Sequence, residues 1–389
     1  VAVAGSIRRR KETVGDVDLV ASSSDPAGLM DAFTSLPMVA EVMARGETKS
    51  VIKIDGLGQV DLRVVEPGEF VAALHHSTGS KEHHVRLRGM AKDRGLRINE
   101  YGVFDENDSP VALAREDDIY SLLEMQYVPP ELREDTGEVE AALESRLPDL
   151  LTESDIRGDL HAHTRWTDGT GSVRDMAGAA MRRGYEYIAI SDHSKSLGVA
   201  GGLDEEELKG QAEEIDALNR EISGFRVLKG IEVEITKTGS LDLDDETLAG
   251  LDIVTASVHS MFSMGREAMT ARIEAAMKNP HVDVIAHPTG RLIGRREPYE
   301  VDVDSLIETA ARTGTCLEIN ASPDRLDLSD YWARRAIEAG CRLAINTDAH
   351  ATMSLEDMGY GVSVARRAWA TRTDILNALS LEELLEAVR

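Results

Sequence analysis

In the second half of the chain the apolar positions gather into seven short runs, at residues 155–163, 185–193, 225–235, 251–259, 282–288, 315–320 and 341–350. Each run is rich in β-branched residues, and a stretch with helical spacing separates it from the next. That is the pattern of βα units repeated around a parallel sheet, whose strands are covered on both faces and so read as nearly unbroken apolar segments. Between two of the runs, Leu208, Ile215, Leu218 and Ile222 recur at helical spacing, which predicts an outer helix over residues 203–222. The first 130 residues are patterned differently. There Asp16, Val17, Asp18 and Leu19 alternate, and a later strand-like run, GQVDLRVV, carries Asp61. The whole reads as an α/β protein with a smaller first domain and a seven-stranded second one.

In closed parallel sheets the reacting groups sit at the carboxyl ends of the strands. His161, His163, Asp168, His193, Glu232, His259, His287, Asp348 and His350 each follow an apolar run rather than precede it. In His161-Ala-His163 and Asp348-Ala-His350 the two donors are two residues apart, so a strand projects both to one side. Imidazoles mixed with carboxylates, with no cysteine close by, suit a catalytic Zn²⁺, Mn²⁺ or Fe²⁺ site rather than a structural zinc knuckle. Nine donors are too many for one tetrahedral ion, so two or three metals are expected, with Glu232 or Asp348 bridging. Such clusters activate water and clamp the oxygens of a phosphoester displacement, which makes phosphoester hydrolysis the expected chemistry. A lone histidine after a strand is more often an ordinary core or surface residue. His75, His76, His83 and His84, in a polar helix-like stretch, and His281, in a loop, lack the strand-end setting. Arg291 and Arg325 offer bidentate forks for a substrate phosphate, and Asp192, beside His193, is expected to orient a neighbour.

The first domain holds a second constellation. Asp16 and Asp18 project together from one strand, and Asp61 can join them from its neighbour. Three convergent carboxylates can hold a pair of Mg²⁺ ions, and the Gly5-Ser6 turn with Arg9 of the Arg8-Arg9-Arg10-Lys11 run can meet phosphate oxygens.

With these residues in hand, GDLHAHTRWTDG, ISDHS, GIEVEI, SVHS, AHPTGR, LEINASPDRLDL and NTDAH make residues 155–389 resemble a PHP (polymerase and histidinol phosphatase) domain. That resemblance implies a distorted (βα)7 barrel with up to three metals. Likewise GSIRRRK, GDVDLV, VDLRVV, STGSKEHHVRLRGMAKDRGLRINEYGVF and YVPPELREDTGE resemble the nucleotidyltransferase-type α+β palm and nucleotide-selection subdomain of family X, DNA polymerase beta-like enzymes, over residues 1–130. The joined pair resembles the PolX family. It implies a repair polymerase and 3′–5′ exonuclease acting on DNA and dNTPs, with Gly5, Ser6, Arg9, Gly79 and Arg88 toward nucleotide or phosphate and Asp16, Asp18 and Asp61 as catalytic carboxylates. Phosphatase or abasic-site activity often accompanies the exonuclease. Two departures stand out. The family's lyase-like region and helix-hairpin-helix motifs are not seen, and Val1 starts inside a strand without an initiator Met, so a truncated chain is expected. His76-Ser77 replaces the family's Tyr-Phe pair and His84 its Asn, which is expected to weaken nucleotide binding or sugar discrimination.

Charge adds one more expectation. The net charge is −27, with only 10 Lys among 43 basic residues against 70 acids. This is unlike a typical nucleic-acid binder and suits a protein working in concentrated salt, so a halophilic archaeal source is expected. The acid-rich residues 131–154 are expected to be a linker, with a short amphipathic helix near 143–151. No signal peptide or membrane span is visible, and Cys316 and Cys341 are expected as reduced thiols in the cytoplasm. The competing readings are a PHP phosphatase for a small ester such as histidinol phosphate, and a nucleotidyl transferase acting on something other than DNA.

Overall fold

The computed structural model describes residues 1–388 and divides into two compact units, residues 1–148 and residues 149 onward. In the first, a five-stranded mixed sheet has β1 (Ala2–Val3), β2 (Asp16–Ser22), β3 (Val39–Arg45), β4 (Lys49–Ile54) and β5 (Gly58–Val65) in the order β1-β2-β5-β4-β3. The β2 and β5 strands run parallel, with Asp18 directly opposite Asp61. Ala21, Ile52, Val60, Leu62 and Val64 pack with Met30 and Phe33 of the helix Pro26–Thr34. A smaller cluster joins Ala4, Val20 and Val65 to Ala73 of the helix Phe70–Thr78. A helix Lys81–Asp93 follows, then a small antiparallel sheet of β6 (Arg97–Asn99), β7 (Gly102–Phe104) and β8 (Pro110–Val111).

Residues 131–148, expected as linker, belong to this unit. Arg8, Arg9 and Arg10 pair with Glu116, Glu134 and Glu131. Arg133 is fully buried against Glu116 at 2.7 Å, and Glu138 is buried against His83. An acidic run signals a solvated segment when its counter-charges are absent, and here the arginine run, over a hundred residues away in sequence, supplies them. The helix in this region is Glu138–Leu143, not 143–151. Pro148 cannot continue a helix and disfavours helical geometry at Leu147.

The second unit is a parallel sheet of seven strands, β9 (Gly158–Ala162), β10 (Tyr187–Ile190), β11 (Arg226–Glu234), β12 (Ile253–Ser257), β13 (Val284–Ile285), β14 (Cys316–Asn320) and β15 (Leu343–Asn346), hydrogen-bonded in that order. The ends nearly close: Ala162 bridges Ala349, and His163 N–H donates to the Ala349 carbonyl at 2.8 Å. Each of the seven apolar runs contains one strand. One large apolar cluster, including Ile188, Ile190, Val227 and Ile231, joins the sheet to its helices. Among these is Glu205–Glu221, whose Leu208, Ile215 and Leu218 are buried as its spacing predicts. A second cluster takes Leu160, Tyr187, Leu228, Ile253, Val284, Cys316 and Ala344 from all seven strands and adds Leu376 and Leu384 from the C-terminal segment. The strand starts are thereby filled with hydrocarbon, and polar chemistry is confined to the strand ends. Among the described residues no helix is long and apolar enough to cross a membrane.

Candidate metal centre

Burial sets the conditions at the strand ends. His161, His163, His193, Glu232 and His287 are all at most 4% exposed, and polar groups this deep must be partnered. The partner they share is Glu232. Its carboxylate oxygens lie 2.7 Å from His193 Nδ1, 3.0 Å from His287 Nε2, 3.3 Å from His259 Nε2, 3.5 Å from His161 Nε2 and 3.8 Å from His163 Nε2. Asp348 Oδ1 sits 3.0 Å from His163 and 3.6 Å from His161, and Asp168 bridges His193 at 3.5 Å and His350 at 3.4 Å. Three overlapping donor groups result: His161, His163 and Asp348; His193, Glu232 and His259; and His163, Asp168, His193 and His350. All nine residues expected from sequence as ligands are brought together.

The donors are aimed but not satisfied. His161 Nε2, His163 Nδ1, His193 Nδ1, His287 Nδ1 and Glu232 Oε2 are buried with no hydrogen-bond partner. Clustered imidazoles and carboxylates with orphaned nitrogens fit divalent transition metals, which take neutral imidazole and ionised carboxylate together. Burial opposes ionisation of Glu232, yet His259, His193 and His161 hold its carboxyl well below the usual range. Burial likewise lowers His163, to about 4, with His193 and His350 adding to the effect. Two of the nine donor positions are held in left-handed backbone, His287 at φ 30° and Asp348 at φ 54°. Residues with a Cβ adopt that region at a cost, and such strain gathers at functional sites.

Behind the donors stands a layer of polar residues. Glu318 accepts from His161 Nδ1 at 2.8 Å, from the His287 backbone N–H at 2.8 Å and from Asn346 at 3.0 Å. Glu234 accepts from the His259 backbone at 2.9 Å and is ion-paired with the buried Arg272. Asn320 donates to Asp348 Oδ2 at 3.1 Å. Asp192 accepts from Thr164, Thr167 and Gln211, which ties down the loop carrying Asp168, in keeping with its expected orienting role. Glu234, Glu318 and Asn320 were not singled out from sequence. Their signal was present all the same, as polar residues set inside apolar strand runs, where each must find a buried partner.

The two arginines of this unit divide. Arg325 approaches Asp348 at 3.4 Å, has a buried Nη1 without a partner, and lines the open mouth with His193, His259 and His350. Arg291, expected to grip phosphate, instead donates Nε to the Arg325 carbonyl at 2.9 Å and Nη2 to the Leu326 carbonyl. Its fork is occupied in shaping the loop that presents Arg325.

In the first unit Asp16, Asp18 and Asp61 share one side of the β2–β5 pair. Burial, then Asp16 and Asp61, push the Asp18 carboxyl up, while Lys49 and Arg9 pull it down by less. Asp61 is held by Lys49 at 2.6 Å and by Gln59 at 2.7 Å. Gly5, at φ 59°, lies so close to Asp18 that a Cβ there would stand 2.1 Å from its Oδ2, so only glycine fits the turn that begins the short helix containing Ser6. Arg9, expected to meet phosphate, is instead engaged by Glu134 and by the Thr78 carbonyl at 2.8 Å. Gly79 ends the helix Phe70–Thr78 with its Cα against His84, and Arg88 Nε donates to the His84 carbonyl. His76 and His84 stack at 5.1 Å, so the place of the expected aromatic pair holds two flat imidazoles. His75, His83 and His84 are buried rather than lying on a polar surface.

Comparison with known proteins agrees with both halves. Residues 73–134 match the DNA polymerase beta thumb family and residues 159–322 the PHP domain family. Over 384 residues the chain is 46% identical to the DNA polymerase/3′-5′ exonuclease PolX of Bacillus subtilis, spanning 98% of this chain and 67% of that protein. A probable phosphatase of Thermoanaerobacter sp. is 30% identical over 230 residues, covering 56% of this chain and 89% of its own. Among solved structures, polymerase beta of Leishmania infantum in a ternary primer–template complex matches 34% of this chain and 66% of its own at 28% identity and a TM-score of 0.31.

Proposed function

The chain belongs to the PolX family, and from that premise we propose that it is a DNA repair enzyme with two chemistries. The palm transfers nucleotides from dNTPs to DNA with Mg²⁺. The barrel removes nucleotides from 3′ ends, with 3′-phosphates and abasic sites as further substrates. The observation that carries the second activity is the convergence of six imidazoles and three carboxylates, five of whose buried ligand atoms form no hydrogen bond.

In this reading His161, His163, Asp168, His193, Glu232, His259, His287, Asp348 and His350 would hold two or three Mn²⁺ or Zn²⁺ ions, with Glu232 shared. Bound there, such ions lower the pKa of a water and clamp the attacking and leaving oxygens of the displacement. The protein's own part is positioning. Glu318 fixes the ring of His161 and Glu234 that of His259, so each presents its other nitrogen inward. Arg325, free at Nη1 and facing the mouth, grips a non-bridging phosphate oxygen and orients the scissile bond. Elemental analysis of the purified chain and nuclease assays of the His161→Ala/His163→Ala double variant test this. Absence of any transition metal, or full nuclease activity in the double variant, would overturn it.

For the palm, Asp16, Asp18 and Asp61 would hold Mg²⁺, with Gly5 and Ser6 beside them. With the His76–His84 pair at the nucleotide pocket, primer extension is slow and poorly selective for the sugar. Normal rates with a strong deoxynucleotide preference would refute that. The small-ester phosphatase reading rests on the barrel alone and leaves the palm carboxylates without a use. Buried free Cys316 and Cys341 support a reducing, cytoplasmic setting. The charge of −27 supports a source adapted to concentrated salt, and full stability in dilute buffer with no gain from molar KCl would count against it.

A further inference from the structure

Beside the metal centre lies an open cleft of about 370 Å³, lined by Arg165, Thr170, Arg174, Gly178, Arg182 and Thr352. Three arginines in one groove are out of character for a chain with 43 basic and 70 acidic residues. Asp175, the carboxylate at the groove, is already committed as a helix cap, accepting from the Ser172 backbone at 3.0 Å and its hydroxyl at 2.7 Å. Arg174 meets Glu221 in a pair exposed on both sides, which holds it weakly, and the exposed Arg182 has no ion-pair partner among the described residues. Arg165 donates Nε to the Thr170 carbonyl at 2.7 Å and stands 4.0 Å from Asp175 in a pair exposed on both sides, so each of the three guanidinium groups keeps N–H donors toward solvent.

Their arrangement is linear. Arg174, Gly178 and Arg182 follow one another at four-residue intervals along the helix Val173–Arg182, so they share a face and the outer two stand roughly 12 Å apart, a span of a few successive phosphates. Gly178 leaves the middle of that face hollow: a Cβ there would meet only the Arg182 guanidinium, at 3.5 Å. The groove also runs into the metal centre. Its wall at residues 165–171 is the loop bearing Asp168, and Thr170 donates its N–H to the His350 carbonyl at 2.7 Å. Thr352 lies two residues beyond His350.

Resting on the phosphoesterase reading of the barrel, we propose that this arginine groove is a track for the phosphodiester backbone of a single nucleic-acid strand whose 3′ end enters the metal centre. Arg165, Arg174 and Arg182 contact phosphates upstream of the cleaved bond. They fix the position of the strand without reading its bases.

The test compares the full chain, loaded with Mn²⁺, with Arg174→Gln/Arg182→Gln and with Gly178→Glu, which places an acid in the hollow at a site with room for it. Substrates are single strands from a dinucleotide upward, with bis(p-nitrophenyl) phosphate as the small reference diester. The expected result is that wild-type efficiency grows with strand length, and that in both variants the ratio of long-strand to small-diester efficiency falls about tenfold through KM, with a shallower salt dependence. Added inorganic phosphate should inhibit wild type and variants alike if free phosphate acts only at the metal centre. Phosphate inhibition lost in the variants would make the groove a free-anion site and overturn the track, as would an unchanged length advantage and salt slope. Should the wild type cleave no oligonucleotide, the phosphoesterase reading fails, and fluorescence anisotropy of the same labelled strand still judges the groove. Weaker binding by both variants upholds it and equal binding overturns it.

Discussion

The molecule builds two histidine clusters, and they are opposites. In the barrel six imidazoles meet Glu232, Asp348 and Asp168, and the imidazoles around Glu232 and Asp348 hold these carboxyls well below the usual range against the effect of burial. Among the barrel imidazoles burial is overcome at His193, raised to about 10 by Glu232 and Asp168. In the first unit His75, His76, His83 and His84 pack against one another, His75 and His83 also meet Tyr120, and Glu138 lies 2.6 Å from His83. There burial prevails, and with help from neighbouring imidazoles and Arg133 it lowers His84 to about 3. What separates a metal centre from a packed imidazole core is therefore the supply of buried acid, not the number of histidines.

The comparison can be broken at several points. The largest effect is expected for His161→Ala/His163→Ala, which should cut 3′-end hydrolysis by about a thousandfold or more while leaving primer extension in place. A parallel loss of both activities would mean that the two sites are not separate. Next, Glu318→Gln keeps the shape but removes the charge that orients His161, and should lower metal affinity or turnover by about 10- to 100-fold, read by metal titration alongside activity. Gly5→Ala places a methyl on the Asp18 carboxylate at φ 59°, and should depress primer extension by about tenfold with the nuclease untouched.

The smallest effect sharpens the contrast in pH. His84 has a folded pKa of about 3 against an ordinary 6.5, so between those values the unfolded chain binds more protons than the folded one. The stability that neutral His84 allows is complete above pH 6.5 and is lost as pH falls toward 3. Urea melts of the first unit should show a decline of up to about 1.4 kcal/mol per pH unit below 6.5 from this group, and His84→Asn should flatten it. A pH-independent melt would place His84 in a less buried setting than the structure gives it.

Much of the site was legible because candidate donors on parallel strands follow a local rule. An apolar run ends, and a His or Asp follows it. His161, His163 and Asp348-Ala-His350 obey that rule within a few residues, and the same runs predicted the seven strands. Arg9 and Arg291 show what a sequence pattern leaves out. An arginine beside a phosphate-binding motif looks free in sequence, but Glu134 and the Arg325 and Leu326 carbonyls reach them only through the fold.

From the amino-acid order alone came the barrel strands, their polar ends, the donor set and the three palm carboxylates, because each is written in contacts or periodicities a few residues long. Only the tertiary structure decided that residues 131–148 are packed rather than linking, that Glu232 is the hub of the donors, that Glu318 and Glu234 brace them, and that His75, His83 and His84 of the first unit are buried together. Those outcomes depend on which groups meet across tens of residues to more than a hundred, and burial changes the worth of a charge in ways that no local pattern records.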